Sequence, residues 1–243
     1  MEKTRLQKIL SRAGFGSRRD GEKLISEKRV TVNGKIAELG EKADPLRDQI
    51  AVDGETIKYE QPDQIYIAFY KPKNVLSQIK KINKRKIVTD YIPLEDYLFI
   101  VGRLDFNSEG LILLTNDGEI ANRLTHPRYE HEKEYHVEIN VVPDDEQLES
   151  WRHGVVLATG YRTLPAEVNK LREKKGNWLR VVLKEGKKRQ IRELGRILGL
   201  HVKRIIRIRI ANIKLTNLKP GEWRYLSEKE IKELKHLHPG ETD

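Results

Sequence analysis

Leu6, Ile9, Leu10 and Ala13 recur at the i, i+3, i+4, i+7 spacing of one apolar helix face, while Arg5, Lys8 and Arg12 gather on another. Gly14 and Gly16 break that helix. Ser17 and Asp20 then stand at capping-box spacing for a second helix, which turns Leu24 and Ile25 inward and carries Arg18, Arg19 and Lys23 near its start. The alternation Val30-Thr31-Val32-Asn33-Gly34-Lys35-Ile36 predicts a hairpin, because Asn-Gly supplies the two positive φ angles of a tight turn. A second hairpin is expected around Asp53-Gly54. Residues 59–64 are polar, proline-broken and aperiodic, the pattern of a linker.

A longer mixed unit follows. Its apolar runs predict strands over Ile65 to Phe69, Tyr97 to Val101, Leu111 to Thr115, Tyr135 to Ile139, Trp178 to Leu183 and Ile205 to Ile210. Helical periodicity covers Glu119 to Leu124, Glu146 to His153, Arg189 to Leu198 and Glu228 to Leu237, and Asn116-Asp117-Gly118 reads as a turn. Strands outnumber helices and many joins look like hairpins, so the expected class is α+β with a mixed, mostly antiparallel sheet. The expected division is 1–58, a linker at 59–64, and 65–243.

Charge adds a direction to this outline. The chain has 243 residues, a formal net charge of +10 and no cysteine. Lack of cysteine removes disulfides, thiolate metal sites and cysteine nucleophiles. Apolar runs such as Leu111 to Leu114 are far short of the ~20 residues of a membrane span. With no apolar core behind Glu2, Lys3 and Arg5, the expectation is a cytoplasmic protein with no membrane contact. The positive charge is segregated: residues 1–35 hold ten basic and four acidic side chains, residues 71–86 seven and none, residues 170–214 sixteen and three. Such blocks are the footprint of a polyanion binder. Lys80 to Lys86 reads as a loop that orders on RNA. Arg207 and Arg209, alternating with isoleucines, are expected to present a cationic stripe.

One stretch concentrates chemistry. In Val101-Gly102-Arg103-Leu104-Asp105-Phe106-Asn107-Ser108-Glu109-Gly110-Leu111 a strand ends at Gly102 and another starts near Leu111, so Asp105 sits on a loop held between core strands. A carboxylate so placed is exposed yet rigid, as a catalytic group requires; spacing alone equally allows a local ion pair with Arg103. Gly186-Lys187-Lys188 ahead of the helix beginning at Arg189 offers backbone N–H groups and two lysines to a phosphate. Arg189, Arg192 and Arg196 lie on one helix face, opposite Ile191, Leu194 and Leu198. His126, His131 and His136 have no metal-ligand spacing.

Gly102-Arg103-Leu104-Asp105 with Gly110-Leu-Ile-Leu-Leu-Thr-Asn-Asp-Gly118, then Lys133-Glu134-Tyr135, then Glu185-Gly186-Lys187-Lys188-Arg189-Gln190-Ile191-Arg192, resembles in order the motifs of the RsuA/RluB-type ribosomal RNA pseudouridine synthases. Residues 1–58 resemble the S4-like RNA-binding domain that many members carry. The resemblance implies that a uridine is isomerised by breaking N1–C1′ and rejoining through C5. No group enters or leaves, so no cofactor and no metal are needed. It implies Asp105 as the essential carboxylate, acting as nucleophile or as base on the 2′ proton. Tyr135 would stack on uracil and assist removal of the C5 proton, and Arg192 would hold Asp105 charged and oriented. Arg103 would fill the gap left by the extruded nucleotide. RNA contacts are expected from Arg5, Lys8, Arg12, Arg18, Arg19, Lys23, Arg103, Lys187, Lys188, Arg189 and Arg196. The expected partner is ribosomal RNA, 23S more than 16S, or a pre-ribosomal particle, and the expected state is a monomer. Two rival functions are a non-catalytic RNA-binding or ribosome-assembly factor, and an RNA phosphodiesterase using Asp105 with His126 or His136.

Overall fold

A computed structural model describes residues 3–59, 63–79, 81, 84–94 and 97–237. Glu60, Gln61 and Pro62 of the expected linker, and Lys80, Ile82 and Asn83 of the expected RNA-ordered loop, lie outside the described residues. The chain divides into two compact units: Met1–Gln64 with Glu95–Tyr97, and Ile65–Leu94 with Leu98–Asp243.

In the first unit, β1 (Thr4–Arg5) leads into α1 (Leu6–Arg12) and α2 (Arg18–Ser26). Leu6, Ile9 and Leu10 are fully buried, at roughly 1.5–3 kcal/mol of hydrophobic stabilisation each. The α2 capping box forms as the spacing predicts: Ser17 Oγ accepts from the Asp20 amide, and the Asp20 carboxylate accepts from the Ser17 amide at 2.7 Å. The rest is β2 (Val30–Val32), β3 (Lys35–Ile36), β4 (Lys42–Ala43), β5 (Ile50–Val52) and β6 (Glu55–Thr56). Four of these form a sheet in the order β3-β2-β5-β6, and β4 pairs with β1. Asn33 and Gly34 take φ of 52° and 79°, the paired left-handed geometry that a two-residue hairpin demands.

The second unit runs β7 (Tyr66–Lys71), β8 (Phe99–Val101), β9 (Glu109–Thr115), α3 (Gly118–Thr125), β10 (Lys133–Ile139), α4 (Asp145–His153), β11 (Glu167–Lys170), β12 (Asn177–Leu183), α5 (Gln190–Ile197), β13 (Val202–Ile210), β14 (Ile213–Lys214), β15 (Trp223–Tyr225) and α6 (Glu228–His236). Its sheet has the order β11-β12-β10-β13-β9-β7-β15, with β8 on β9 and β14 on β13. Every pairing is antiparallel except β13 with β9. The expected α+β class is therefore the observed one. Two apolar layers cover the sheet, one including Ile112, Val137, Trp151 and Leu194, the other Leu111, Leu113, Ile120 and Leu234. The expected turn at Asn116-Asp117-Gly118 is the start of α3, because Asp117 caps the helix by accepting from the Glu119 and Ile120 amides. The strand expected from Tyr97 starts at Phe99.

The expected cationic stripe is not formed. Tyr135 lies opposite Arg207 and Glu134 opposite Arg209, so Ile208 is an extra residue that breaks the β10–β13 register. A one-residue bulge reverses the alternation of faces. Arg207 and Arg209 consequently point to opposite sides: Arg207 is 2% exposed, while Arg209 pairs with Glu132 at 2.9 Å and Glu134 at 3.3 Å.

Candidate active site

The Asp105 loop is fixed from several sides. Ser77 Oγ accepts from the Leu104 amide and donates to its carbonyl, at 3.0 and 2.7 Å. The Asn74 amide donates to the Phe106 carbonyl at 2.8 Å, and the Ser108 amide closes onto the Asp105 carbonyl at 3.0 Å. The Asp105 side chain is half-buried. Among the described residues it has no ion pair within 4.0 Å, so the local pairing with exposed Arg103 is not made. Two cations act on it through space. Lys71, fully buried, donates to the Pro72 and Val75 carbonyls at 2.8 Å. Burial pushes its ammonium down to about 8, against the pull of Glu109 and Asp105. The other is Arg192.

Arg192 makes no ion pair with Asp105 within 4.0 Å among the described residues. It is half-buried on α5, its Nη1 donates to the Val202 carbonyl at 3.0 Å, and it does not line the cavity around Asp105. Its Nε is buried without a partner. Burial and Arg189 lower its proton affinity, while Asp105 works in the opposite direction. Asp105 and Arg192 are thus coupled without touching.

Tyr135, 7% exposed, and Arg207 line the same cavity as Asp105. The Arg207 guanidinium donates through Nε to the Leu111 carbonyl at 2.7 Å and through Nη2 to the Gly102 carbonyl at 3.1 Å, and the Tyr135 hydroxyl is within hydrogen-bonding reach. It therefore ties together β9, the start of the Asp105 loop and the tyrosine. Close approach of β9 to β13 requires Gly110, whose φ is 108° and whose missing Cβ would overlap the Arg207 backbone. Lys133 precedes Tyr135 by two residues on β10 and lines the same cavity. Its Nζ donates to the His131 carbonyl at 2.8 Å, and burial, aided by Arg207, lowers its ammonium to about 8. Sequence reasoning missed Lys71, Lys133 and Arg207, since lysine and arginine ordinarily read as solvated; for Lys133 the signal was its i, i+2 relation to Tyr135.

The cavity encloses about 490 Å³. Asp105, Arg103, Tyr135, Lys133 and Arg207 line it, and Tyr161 with Gly186 to Gln190 forms another wall. Arg189 is not helical, as the periodicity predicted, but the left-handed residue ahead of α5, with φ 56°. Gln190 Oε1 accepts from the Lys187 amide at 3.0 Å, its Nε2 donates to buried Glu185 at 2.8 Å, and Lys187 Nζ lies 4.1 Å from the Tyr161 ring centroid. The wall is thus a braced turn that presents Lys187, Lys188 and Arg189 to the opening. Arg196 is exposed and away from the cavity, and neither His126 nor His136 lines it. In the first unit Arg5, Arg12, Arg18, Arg19 and Lys23 are exposed and Lys8 is half-buried. Among the described residues no three His, Asp or Glu side chains gather as metal ligands, and no helix is long and apolar enough to cross a membrane.

These features agree with what the chain is similar to. The family model described as RNA pseudouridylate synthase matches residues 65–195, and the S4 domain model matches residues 4–45. The ribosomal large subunit pseudouridine synthase B of Bacillus subtilis (strain 168) is 38% identical over 238 residues, covering 96% of each chain. The protein of that name from Escherichia coli (strain K12) is 39% identical over 244 residues, covering 96% of this chain and 82% of the relative. A solved structure, described as a crystal structure of pseudouridylate synthase, superposes with a TM-score of 0.69 at 26% identity, covering 95% of this chain and 99% of that one. The chain belongs to the RNA pseudouridylate synthase family and carries an S4 domain ahead of its catalytic fold.

Proposed function

We propose that this enzyme converts a uridine of large-subunit, 23S, ribosomal RNA to pseudouridine, with Asp105 as the essential group. The observation that carries the reading is the placement of Asp105: a carboxylate with no ion pair among the described residues, on a loop braced by Ser77 and Asn74, lining one cavity with Tyr135, Lys187, Lys188 and Arg189. Unpaired, its oxygens are available to attack C1′ or to take the 2′ proton, and either step releases the ring from N1–C1′. Tyr135 then offers an aromatic face to the ring and a hydroxyl near C5. Arg192 is attracted to Asp105 through space, without an ion pair within 4.0 Å among the described residues, and helps to orient it. Arg103, exposed at the rim, fills the space left by the extruded nucleotide.

Residues 1–58 grip the RNA through Arg5, Lys8, Arg12, Arg18, Arg19 and Lys23, largely at phosphates. Lys187, Lys188 and Arg189 hold the backbone beside the target, and Arg196 adds an outer contact. Supporting the large subunit is the name shared by the relatives from B. subtilis and E. coli. The same reading has the protein work as a monomer in the cytoplasm, on ribosomal RNA or on a pre-ribosomal particle. The test is a map of pseudouridine across 16S and 23S RNA from cells with and without the protein. One 23S position is expected to revert to uridine; an unchanged map, or a lost 16S position, contradicts the assignment.

A further inference from the structure

Heterolysis of N1–C1′ leaves the bonding pair on the uracil ring, spread over N1, O2 and O4. The sugar carbon is left electron-poor and is satisfied by the Asp105 carboxylate, or by loss of the 2′ proton to it. The ring must then turn and use C5 to form the new bond to C1′, after which the C5 proton leaves. Between the two bonds the ring is an anion. Asp105 has the wrong charge to help it.

We propose that Lys133 and Arg207 stabilise this departing uracil anion from the floor of the cavity. The inference rests on the reading that the Asp105 cavity receives the uridine. Among the described residues neither cation has a carboxylate within 4.0 Å. Arg207 is bonded to two carbonyls and a phenol, Lys133 to one carbonyl. Buried cations are normally paired, because removing them from water is costly. Here two of them share one cavity and each raises the cost of the other. Carboxylates are not scarce in this sheet. Arg209, two residues along β13, has Glu132 and Glu134, and Arg204 has Glu109 at 2.6 Å. At Lys133 and Arg207 no carboxylate comes within 4.0 Å among the described residues; buried Lys71 on β7, away from the cavity lining, is likewise held by carbonyls. Arg207 lies opposite Tyr135 in register and Lys133 two residues before it, so both approach the ring that Tyr135 would carry. Fixed cations without a carboxylate partner, set beside a developing anion, are the arrangement that gives large electrostatic stabilisation without reorganisation.

Replacing Arg207 would also free two carbonyls, so Lys133 carries the test. In full-length Lys133→Met, single-turnover conversion of the target uridine is expected to fall about 100-fold. RNA Kd should stay within a few-fold, and Tm should hold or rise, since an apolar chain replaces an unpaired cation. On RNA with 5-fluorouridine at the target, whose ring bears negative charge more readily, consumption of the nucleotide should fall less. Lys133→Gln serves if the methionine variant does not fold. A normal conversion rate, a loss confined to Kd, or equal losses on both substrates would overturn the inference. Asp105→Asn, run in parallel, separates the two readings. If it converts uridine normally the site assignment fails, and if it is inactive while Lys133→Met is normal, only the role of Lys133 fails.

Discussion

The two units use the same cationic side chains in opposite ways. On α1 and α2, arginines and lysines are exposed or half-exposed on small helices whose inner faces are mainly aliphatic, with Gln7 and Ser11 also buried. In the sheet of the second unit, Lys71 and Arg207 are buried and Lys133 is largely withdrawn from water, each bonded to backbone carbonyls. A solvated cation meets a phosphate by releasing counterions, a gain that salt erases. A desolvated one acts on charge a few ångströms away in a medium that screens little, and its cost is already met by the fold. Under the proposed function the contrast separates grip from chemistry, and it can be broken from either side.

The largest expected effect is on the packing that holds the buried set. Gly110→Ala puts a methyl against the Arg207 backbone at a φ that disfavours side chains. It should destabilise the second unit by about 3 kcal/mol or more, read as a shifted denaturant midpoint. A wild-type midpoint would show that β9 and β13 have room to part.

Next comes pH. Lys71 and Lys133 have folded values near 8, below the ordinary 10.5. Between these values the unfolded chain binds more protons, so stability rises with pH, and the gain is lost as pH falls through 8. Each lysine should contribute up to ~3 kcal/mol across that window. The stability advantage of Lys133→Met over wild type at pH 7 should therefore shrink by pH 10. A constant difference would mean that Lys133 is not desolvated.

The smallest effect belongs to the solvated set. Arg18→Ala, Arg19→Ala and Lys23→Ala together should raise RNA Kd about tenfold and flatten its salt dependence by roughly three phosphate contacts. The rate at saturating RNA should not change. An unaltered salt slope would remove α2 from the RNA contact.

What was readable in the sequence was whatever depends on neighbours along the chain. The Ser17–Asp20 box, the Asn33-Gly34 hairpin and the apolar runs of β7, β9, β10 and β12 follow from local geometry. The loop that carries Asp105 was legible because a loop between two buried strands is visible in the pattern. β11 and β15 were not, because Glu167-Val-Asn-Lys and Trp223-Arg-Tyr are short outer strands without an apolar run. Arg207 was misread for a sharper reason. Strict alternation put it with Arg209, and the bulge at Ile208, set by pairing with β10, turned it to the other face. The location of Arg192 likewise depends on how α5 lies on β13, which no spacing encodes.

The central claim is that the Asp105 carboxylate performs the isomerisation while the cations of the first unit only hold the RNA. Asp105→Asn, compared with wild type for RNA Kd and for single-turnover conversion of uridine, tests it directly. The account predicts affinity within a few-fold of wild type and no detectable pseudouridine. Pseudouridine formed at the wild-type rate by the asparagine variant would contradict it.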